Sequence, residues 1–293
     1  MKIRIGSRGS DLALWQANYV KNLLEEKGLE VSITIIETQG DKIQDLSFDK
    51  LEGKGFFTKE IETHLLNKEI DLAVHSHKDL ETQEPKGLYT AAVSYREDPC
   101  ELLLINSKSW NEHEVWELSK HAILGTSSAR RKSQVLALRP DLEIKDLRGN
   151  VPTRIAKLKS GEYDAILLAF AGVFRLNLDL SEFKLVKLDP EEFVPAPAQG
   201  VLALQIREED IEMAQILSQI NNAKVANQIA IERSILQNME GGCQLPLGVY
   251  NDGDFIHVAY SSKWNEPSRY YRFRNNGGDD LVNIIIKQLT TLV

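Results

Sequence analysis

The sequence predicts an α/β protein of two similar lobes followed by a small α+β domain. Three observations carry that expectation. Strand-like segments alternate with helical periodicity over the first hundred residues, and the alternation restarts near Glu101. After Asp210 the order changes to two helices, short strands and a last helix. The 293 residues leave room for two domains of ~150 residues, or three small ones.

In the first lobe, Lys2 to Gly6 reads as a strand and Leu12 to Glu26 as a helix with Leu12, Trp15, Tyr19 and Leu23 on one stripe. Val31 to Glu37 is β-branched and strand-like, Phe57 to Asn67 is helical, and Asp71 to His75 is a short buried strand. Strands separated by helices imply parallel sheets with helices on their faces. The second lobe repeats this with strands at Glu101–Ile105, Ala122–Leu124, Glu143–Leu147 and Asp164–Phe170, and helices at Ala129–Leu138 and Val151–Lys159. Pro195-Ala196-Pro197-Ala198-Gln199-Gly200 reads as a hinge, because each proline biases its predecessor toward extended geometry. Helices are expected over Ile211–Ile220 and Val225–Met239, strands near Gly248–Tyr250, Phe255–Tyr260 and Tyr270–Phe273, and a helix over Asp280–Leu289.

Composition narrows the function. The net charge of −8 argues against a surface that tracks a nucleic-acid backbone or an anionic membrane. The longest apolar run, Ala165 to Phe174, is far below the ~20 residues that span a bilayer. The opening residues read as a strand rather than a secretory signal, and two cysteines, Cys100 and Cys243, do not make a disulfide scaffold. The expectation is a cytoplasmic protein.

Candidate chemistry gathers at strand–helix junctions. Gly6-Ser7-Arg8-Gly9-Ser10 ends one strand and opens a helix, and Gly125 to Arg131 does the same in the second lobe. Hydroxyl residues there cap the helix and leave N–H groups for an anion, while arginines add forks suited to carboxylate or phosphate. Ordinary caps and surface ion pairs account for either junction alone; two matched junctions point to a polyanionic ligand between lobes. His75-Ser76-His77-Lys78-Asp79 follows a strand, where ligands of open α/β sheets bind. Three readings stand for it: a two-histidine, one-carboxylate metal site, a structural buried His75, or a binding lysine beside a catalytic carboxylate. Thr38 to Lys54 has the composition of a lid or of an ordinary surface loop. Cys243, after Gly241-Gly242, sits on a tight turn that presents a sulfur for covalent chemistry, whereas Cys100 reads as structural.

Together these segments resemble the porphobilinogen deaminases, also called hydroxymethylbilane synthases. The matching blocks are GSRGSDLALWQA (6–17), GKGFFTKEIE (53–62), HSHKD (75–79), REDP (96–99), GTSSARR (125–131), LRGNVPTR (147–154), PAPAQG (195–200) and ERSILQNMEGGCQLPLG (232–248). The resemblance implies two lobes like type II periplasmic binding proteins: residues 1–97 with 199–215, and 98–198. It also implies a C-terminal domain over 216–293 whose Cys243 carries a covalent dipyrromethane. Such transferases condense four porphobilinogen molecules head to tail, release ammonia and hydrolyse the linear tetrapyrrole from the cofactor. For this chain the expectation is a monomer with no nucleic-acid, membrane or metal partner.

By position, Asp79 matches the catalytic carboxylate. Arg8, Ser10, Gln16, Lys54, Phe57, Ser76, Lys78, Thr126, Ser128, Arg130, Arg131, Arg148, Gly149, Arg154, Arg175 and Gln199 match residues that hold cofactor or substrate. His77 and Glu81 depart from the family's block, where an apolar residue and a proline are common. A non-catalytic anion-binding protein of the receptor fold is the rival reading, but it gives no reason for Cys243 on its own domain.

Overall fold

The computed structural model describes residues 2–38, 58–240, 242, 244–278 and 280–291. Its strands are β1 (Lys2–Ser7), β2 (Glu30–Ile35), β3 (Leu72–Ser76), β4 (Leu88–Val93), β5 (Glu101–Asn106), β6 (Ile123–Gly125) and β7 (Glu143–Lys145). There follow β8 (Ala165–Ala169), β9 (Phe183–Leu188), β10 (Leu202–Arg207), β11 (Leu247–Asn251), β12 (Phe255–Tyr260) and β13 (Arg269–Arg274). The described helices are α1 (Asp11–Glu25), α2 (Lys59–Leu66), α3 (Ala129–Leu138), α4 (Val151–Lys159), α5 (Phe170–Leu176), α6 (Ile211–Ser218), α7 (Ala223–Asn238) and α8 (Leu281–Thr290). None of them is long and apolar enough to cross a membrane.

The chain folds as two compact units. Among the described residues, those up to Glu97 and Ala198–Ala230 form the first, and Asp98–Pro197 with Ile231 onward form the second.

The first unit is built on one sheet in the order β2-β1-β3-β10-β4. β1 runs parallel to β2 and β3, while β10 is antiparallel to both β3 and β4. Ile3, Ile5, Val74 and Leu204 bury one face against Ala17, Val20 and Leu24 of α1 and Met213 and Leu217 of α6. The other face packs Ile36, Ile70 and Ala73 against Ile61 and Leu65 of α2. Burial of these side chains, at ~1.5–3 kcal/mol each, holds the strand ends in place. The stripe predicted for α1 is displaced: Gln16, Ala17, Val20 and Leu24 are buried. Trp15 and Tyr19 instead stack on one another at its flank, with ring centroids 5.7 Å apart.

The second unit repeats the plan in the order β7-β6-β8-β5-β9. β6 is parallel to β7 and β8, and β5 is antiparallel to β8 and β9. Leu103, Ile105, Leu124 and Leu167 fill the core on one face, and Leu102, Leu104, Ile166 and Leu168 fill it on the other. Burial on both faces explains why β5 and β8 read as continuous apolar runs. In each sheet three parallel strands are followed by one antiparallel strand in fourth place, the lobe plan of a type II periplasmic binding protein. The sheets are therefore mixed, not wholly parallel as the alternation predicted.

The unit's second sheet is the antiparallel meander β11-β12-β13. Val249, Ile256 and Val258 pack there on Ile235 and Leu236 of α7 and on Leu281, Ile285 and Leu289 of α8, a core of its own.

Candidate active site

In the first unit, the end of β1 turns sharply into α1. A Cβ on Gly6 would come within 2.3 Å of Ile70 Cδ1, so a side chain there would displace the end of the buried Ile70 side chain. Ser10 caps α1 by accepting from Ala13 N at 3.4 Å, and Asp11 in the first turn complements the helix dipole. Arg8 is half-buried at this junction.

β3 ends at Ser76, and the chain enters a single 3-10 turn, His77–Asp79. Three contacts hold that turn. Gln16, 4% exposed, donates Nε2 to Ser76 Oγ at 2.8 Å. His77 N donates to Val201 O at 2.9 Å. Lys78 Nζ donates to Oε1 of the fully buried Gln199 at 3.1 Å. Arg96 Nε in turn donates to Gln199 O at 3.0 Å. Gln199 lies between two left-handed residues, Ala198 (φ 60°) and Gly200 (φ 90°). A Cβ on Gly200 would stand 2.3 Å from Glu97 O. Asp79 itself is exposed at the end of this turn.

Behind the turn lies a buried polar group. Gln205 Nε2 donates to Glu62 Oε1 at 3.2 Å, and burial holds the Glu62 carboxyl above its ordinary value. Burial also pulls His75 down to about 4; the Gln205 side chain opposes this and the Arg8 charge adds to it. His75 is therefore a neutral imidazole near pH 7. Because β3 stops at Ser76, the strand alternation that would bring His75, His77 and Asp79 onto one face ends there. Among the described residues these three do not gather as a metal-ligand cluster.

In the second unit, β6 leads into α3 through Thr126-Ser127-Ser128. Ser128 caps α3 by accepting from Arg131 N at 3.5 Å, and Thr126 Oγ1 accepts from Ser128 N at 3.3 Å. Ser127, one of the hydroxyl residues expected to cap this helix, instead bridges both Leu147 backbone groups at 3.0 Å. Arg130 and Arg131 point into the protein. Their guanidiniums grip the two oxygens of Glu101 at 2.6 and 2.7 Å, with Glu101 fully buried. Arg130 also donates to Val194 O at 3.0 Å and Arg131 to Leu167 O at 2.9 Å. Burial pushes the Arg130 guanidinium below its ordinary value, and the Glu101 charge opposes this.

α4 opens with Asn150 as its cap, accepting from Thr153 N at 3.0 Å. Gly149 before it has φ 112°, and a Cβ there would meet Thr153 Cγ2 at 2.6 Å. Arg154 Nε donates to Gly149 O at 2.7 Å, and Arg148 is half-buried beside it. Arg175 lies in α5 and is 5% exposed.

The fold thus brings Arg8, Ser10, Ser76, Lys78 and Asp79 to strand and helix ends of the first unit, with Gln16 inside α1 and Gln199 in the segment before β10. It brings Thr126, Ser128, Arg130, Arg131, Arg148, Gly149, Arg154 and Arg175 to such places in the second. Lys54, Phe57 and Cys243 lie outside the described residues, as does the predicted lid beyond Thr38. Sequence reasoning missed Glu101, Arg96, Glu62 and Gln205. Glu101 left a signal, since a carboxylate opens the otherwise apolar run Leu102–Ile105 and demands a buried partner. Cys100 agrees with its structural reading: it is buried, and burial pushes its thiol well up.

A carboxylate-bearing ligand fits this donor set. Two buried guanidiniums face one carboxylate, leaving a surplus positive charge, and Arg131 Nε is a buried donor with no hydrogen-bond partner among the described residues.

Residues 3–215 match the family model described as porphobilinogen deaminase, dipyromethane cofactor binding domain. A porphobilinogen deaminase of Maridesulfovibrio salexigens is 46% identical over 252 residues, covering 85% of this chain and 80% of that protein. One from Bacillus anthracis is 47% identical over 251 residues, covering 85% and 80%. A probable porphobilinogen deaminase of Methanocella arvoryzae is 46% identical over 258 residues, covering 87% and 82%.

Proposed function

The chain belongs to the porphobilinogen deaminase family, and from that premise we propose which of its residues carry the reaction. The activity is the family's: a transferase joins four porphobilinogen molecules head to tail on a dipyrromethane cofactor, releases ammonia, and frees hydroxymethylbilane by hydrolysis. The cofactor supplies a tethered pyrrole that serves as the primer for chain growth.

Cys243 is the residue we assign to the thioether. The assignment rests on its place after Gly241-Gly242 in the block 232–248, since the matched family model ends before it. Arg8, Ser10, Lys78, Thr126, Ser128, Arg148 and Arg154 hold acetate and propionate groups in this reading. Arg130 and Arg131 act through their surplus charge, because Glu101 and backbone carbonyls take the hydrogen bonds described above. Gln16 and Gln199 position the 76–79 turn.

Asp79 is the catalytic acid–base. Its carboxylate stabilises the positive charge that develops on a pyrrole as ammonia departs, and its oxygens carry the proton to the leaving amine. The observation that carries this role is an exposed carboxylate on a turn that Gln16, Val201 and Gln199 pin from three sides. A general acid–base contributes ~10²–10⁴-fold, so Asp79→Asn should lower kcat by that factor with the cofactor still attached. Near-normal turnover by Asp79→Asn would remove the assignment.

A three-domain organisation (1–97 with 199–215, 98–198, 216–293) is supported by the separate core beneath β11-β12-β13. We place the protein in the cytoplasm, as a monomer, on the sequence reading; size-exclusion chromatography with light scattering tests the second point.

A further inference from the structure

We propose that Glu191, Asp252 and His257 form a binding site for one divalent transition cation, with Zn²⁺ as the best match. The site lies in the second unit. Asp252 and His257 belong to the β11–β12 hairpin, and Glu191 to the loop that follows β9. The imidazole makes this more than a pair of surface acids. His257 is 4% exposed in the middle of β12. Tyr250 stacks on its ring at 5.9 Å and Phe255 meets it edge-on at 6.4 Å, so two aromatic neighbours set the ring's orientation. In that orientation Nε2 points at both acids, 2.9 Å from Asp252 Oδ2 and 4.0 Å from Glu191 Oε2.

The carboxylate of Asp252 is also set in advance. Its Oδ1 accepts from Asp254 N and Phe255 N, each at 2.7 Å, which turns Oδ2 toward the imidazole. Arg272, the cross-strand neighbour of His257, places its guanidinium over the Phe255 ring at 3.7 Å. The three ligand atoms lie within 4.8 Å of one another. Bonds of ~2.0–2.2 Å around a tetrahedral ion put ligand atoms about 3.4 Å apart, a spacing bracketed by the 2.9 and 4.0 Å seen here. Glu191 has a side chain 50% exposed, so its rotamer is free to close the remaining gap while water takes the fourth position.

The donors decide the metal class. One imidazole nitrogen with two carboxylate oxygens suits Zn²⁺ and its first-row neighbours, whereas Ca²⁺ and Mg²⁺ take oxygen alone. Bound there, the ion fastens the hairpin under β12 to the loop after β9.

The test uses the full-length purified protein, freed of metal with a chelator and titrated with Zn²⁺ by calorimetry. The expected result is one equivalent bound and a raised Tm. Glu191→Gln alters an exposed side chain and should weaken Zn²⁺ by at least about tenfold, the loss that disturbing even an outer-shell partner produces. His257→Gln should abolish both the binding and the Tm rise. A wild-type protein that takes up no Zn²⁺ overturns the proposal. Wild-type affinity in Glu191→Gln overturns it equally, since the ion would then sit elsewhere.

Discussion

Glu101→Gln removes one negative charge from the centre of the second unit. Glu101 is fully buried, and Arg130 and Arg131 are each 6% exposed. Two charge-assisted hydrogen bonds, at 2.6 and 2.7 Å, are at stake. At ~1.5–3 kcal/mol each they suggest a loss of about 3–6 kcal/mol, and breaking a buried pair by deleting one partner costs about 3–5 kcal/mol. Glutamine keeps one acceptor but turns an N–H₂ donor toward a guanidinium, so relief is small. With a urea slope of about 3 kcal/mol per molar, the midpoint should fall by about 1–2 M. Three of the four tryptophans, Trp110, Trp116 and Trp264, lie in the second unit, so their fluorescence follows it. The control is Lys159→Ala, which breaks a 2.7 Å bridge to Glu182 whose side chains are 64% and 45% exposed. Similar length but exposure to water predicts a loss below about 1 kcal/mol there. If the two variants shift the midpoint alike, burial is not what gives the Glu101 network its strength, and the reasoning fails.

Further expectations concern the turn that carries Asp79. His75 has its folded pKa drawn down to about 4 from 6.5, so between those values the unfolded chain binds more protons and stability falls as pH drops. The loss reaches at most about 3 kcal/mol, and Glu62, raised by burial, works in the opposite direction. Subtracting the pH profile of His75→Gln isolates the histidine; identical profiles would refute its neutral burial. Gly200→Ala forces a methyl group toward Glu97 O in a left-handed conformation, at a cost of about 1–3 kcal/mol. Because Gln199 holds Lys78 next door, thermal melts and porphobilinogen turnover should both decline. An unchanged Tm would show that the segment relaxes.

Much of the architecture was legible because apolar periodicity survives in a sequence. The strands β1, β3, β5 and β8, the helices α3 and α4, and the change of pattern after Asp210 all follow from it. Unpredicted were β4, β9, β10 and α5. β10 pairs antiparallel between β3 and β4 across more than a hundred residues of chain, a long-range choice that local spacing does not encode. α5 begins at Phe170 inside an apolar run that extended the strand reading of β8.

The candidate site shows the same division. Ser10 was readable as a cap because capping chemistry is local, whereas the cap of α3 falls on Ser128 and not on Ser127, a one-residue choice that the bridge from Ser127 to Leu147 decides. The partners of Arg130 and Arg131 were not readable, because Glu101 reaches them only through the tertiary fold. Likewise Gln199 and Lys78 stand 121 residues apart in sequence yet share a hydrogen bond.

In the mechanism proposed above Cys243 tethers the primer on which this chain works, and intact-mass spectrometry reads that tether. The purified protein should exceed its polypeptide mass by one two-pyrrole unit, and Cys243→Ser should return it to the bare value with turnover lost. A wild-type enzyme that consumes porphobilinogen while weighing no more than its polypeptide would contradict the account.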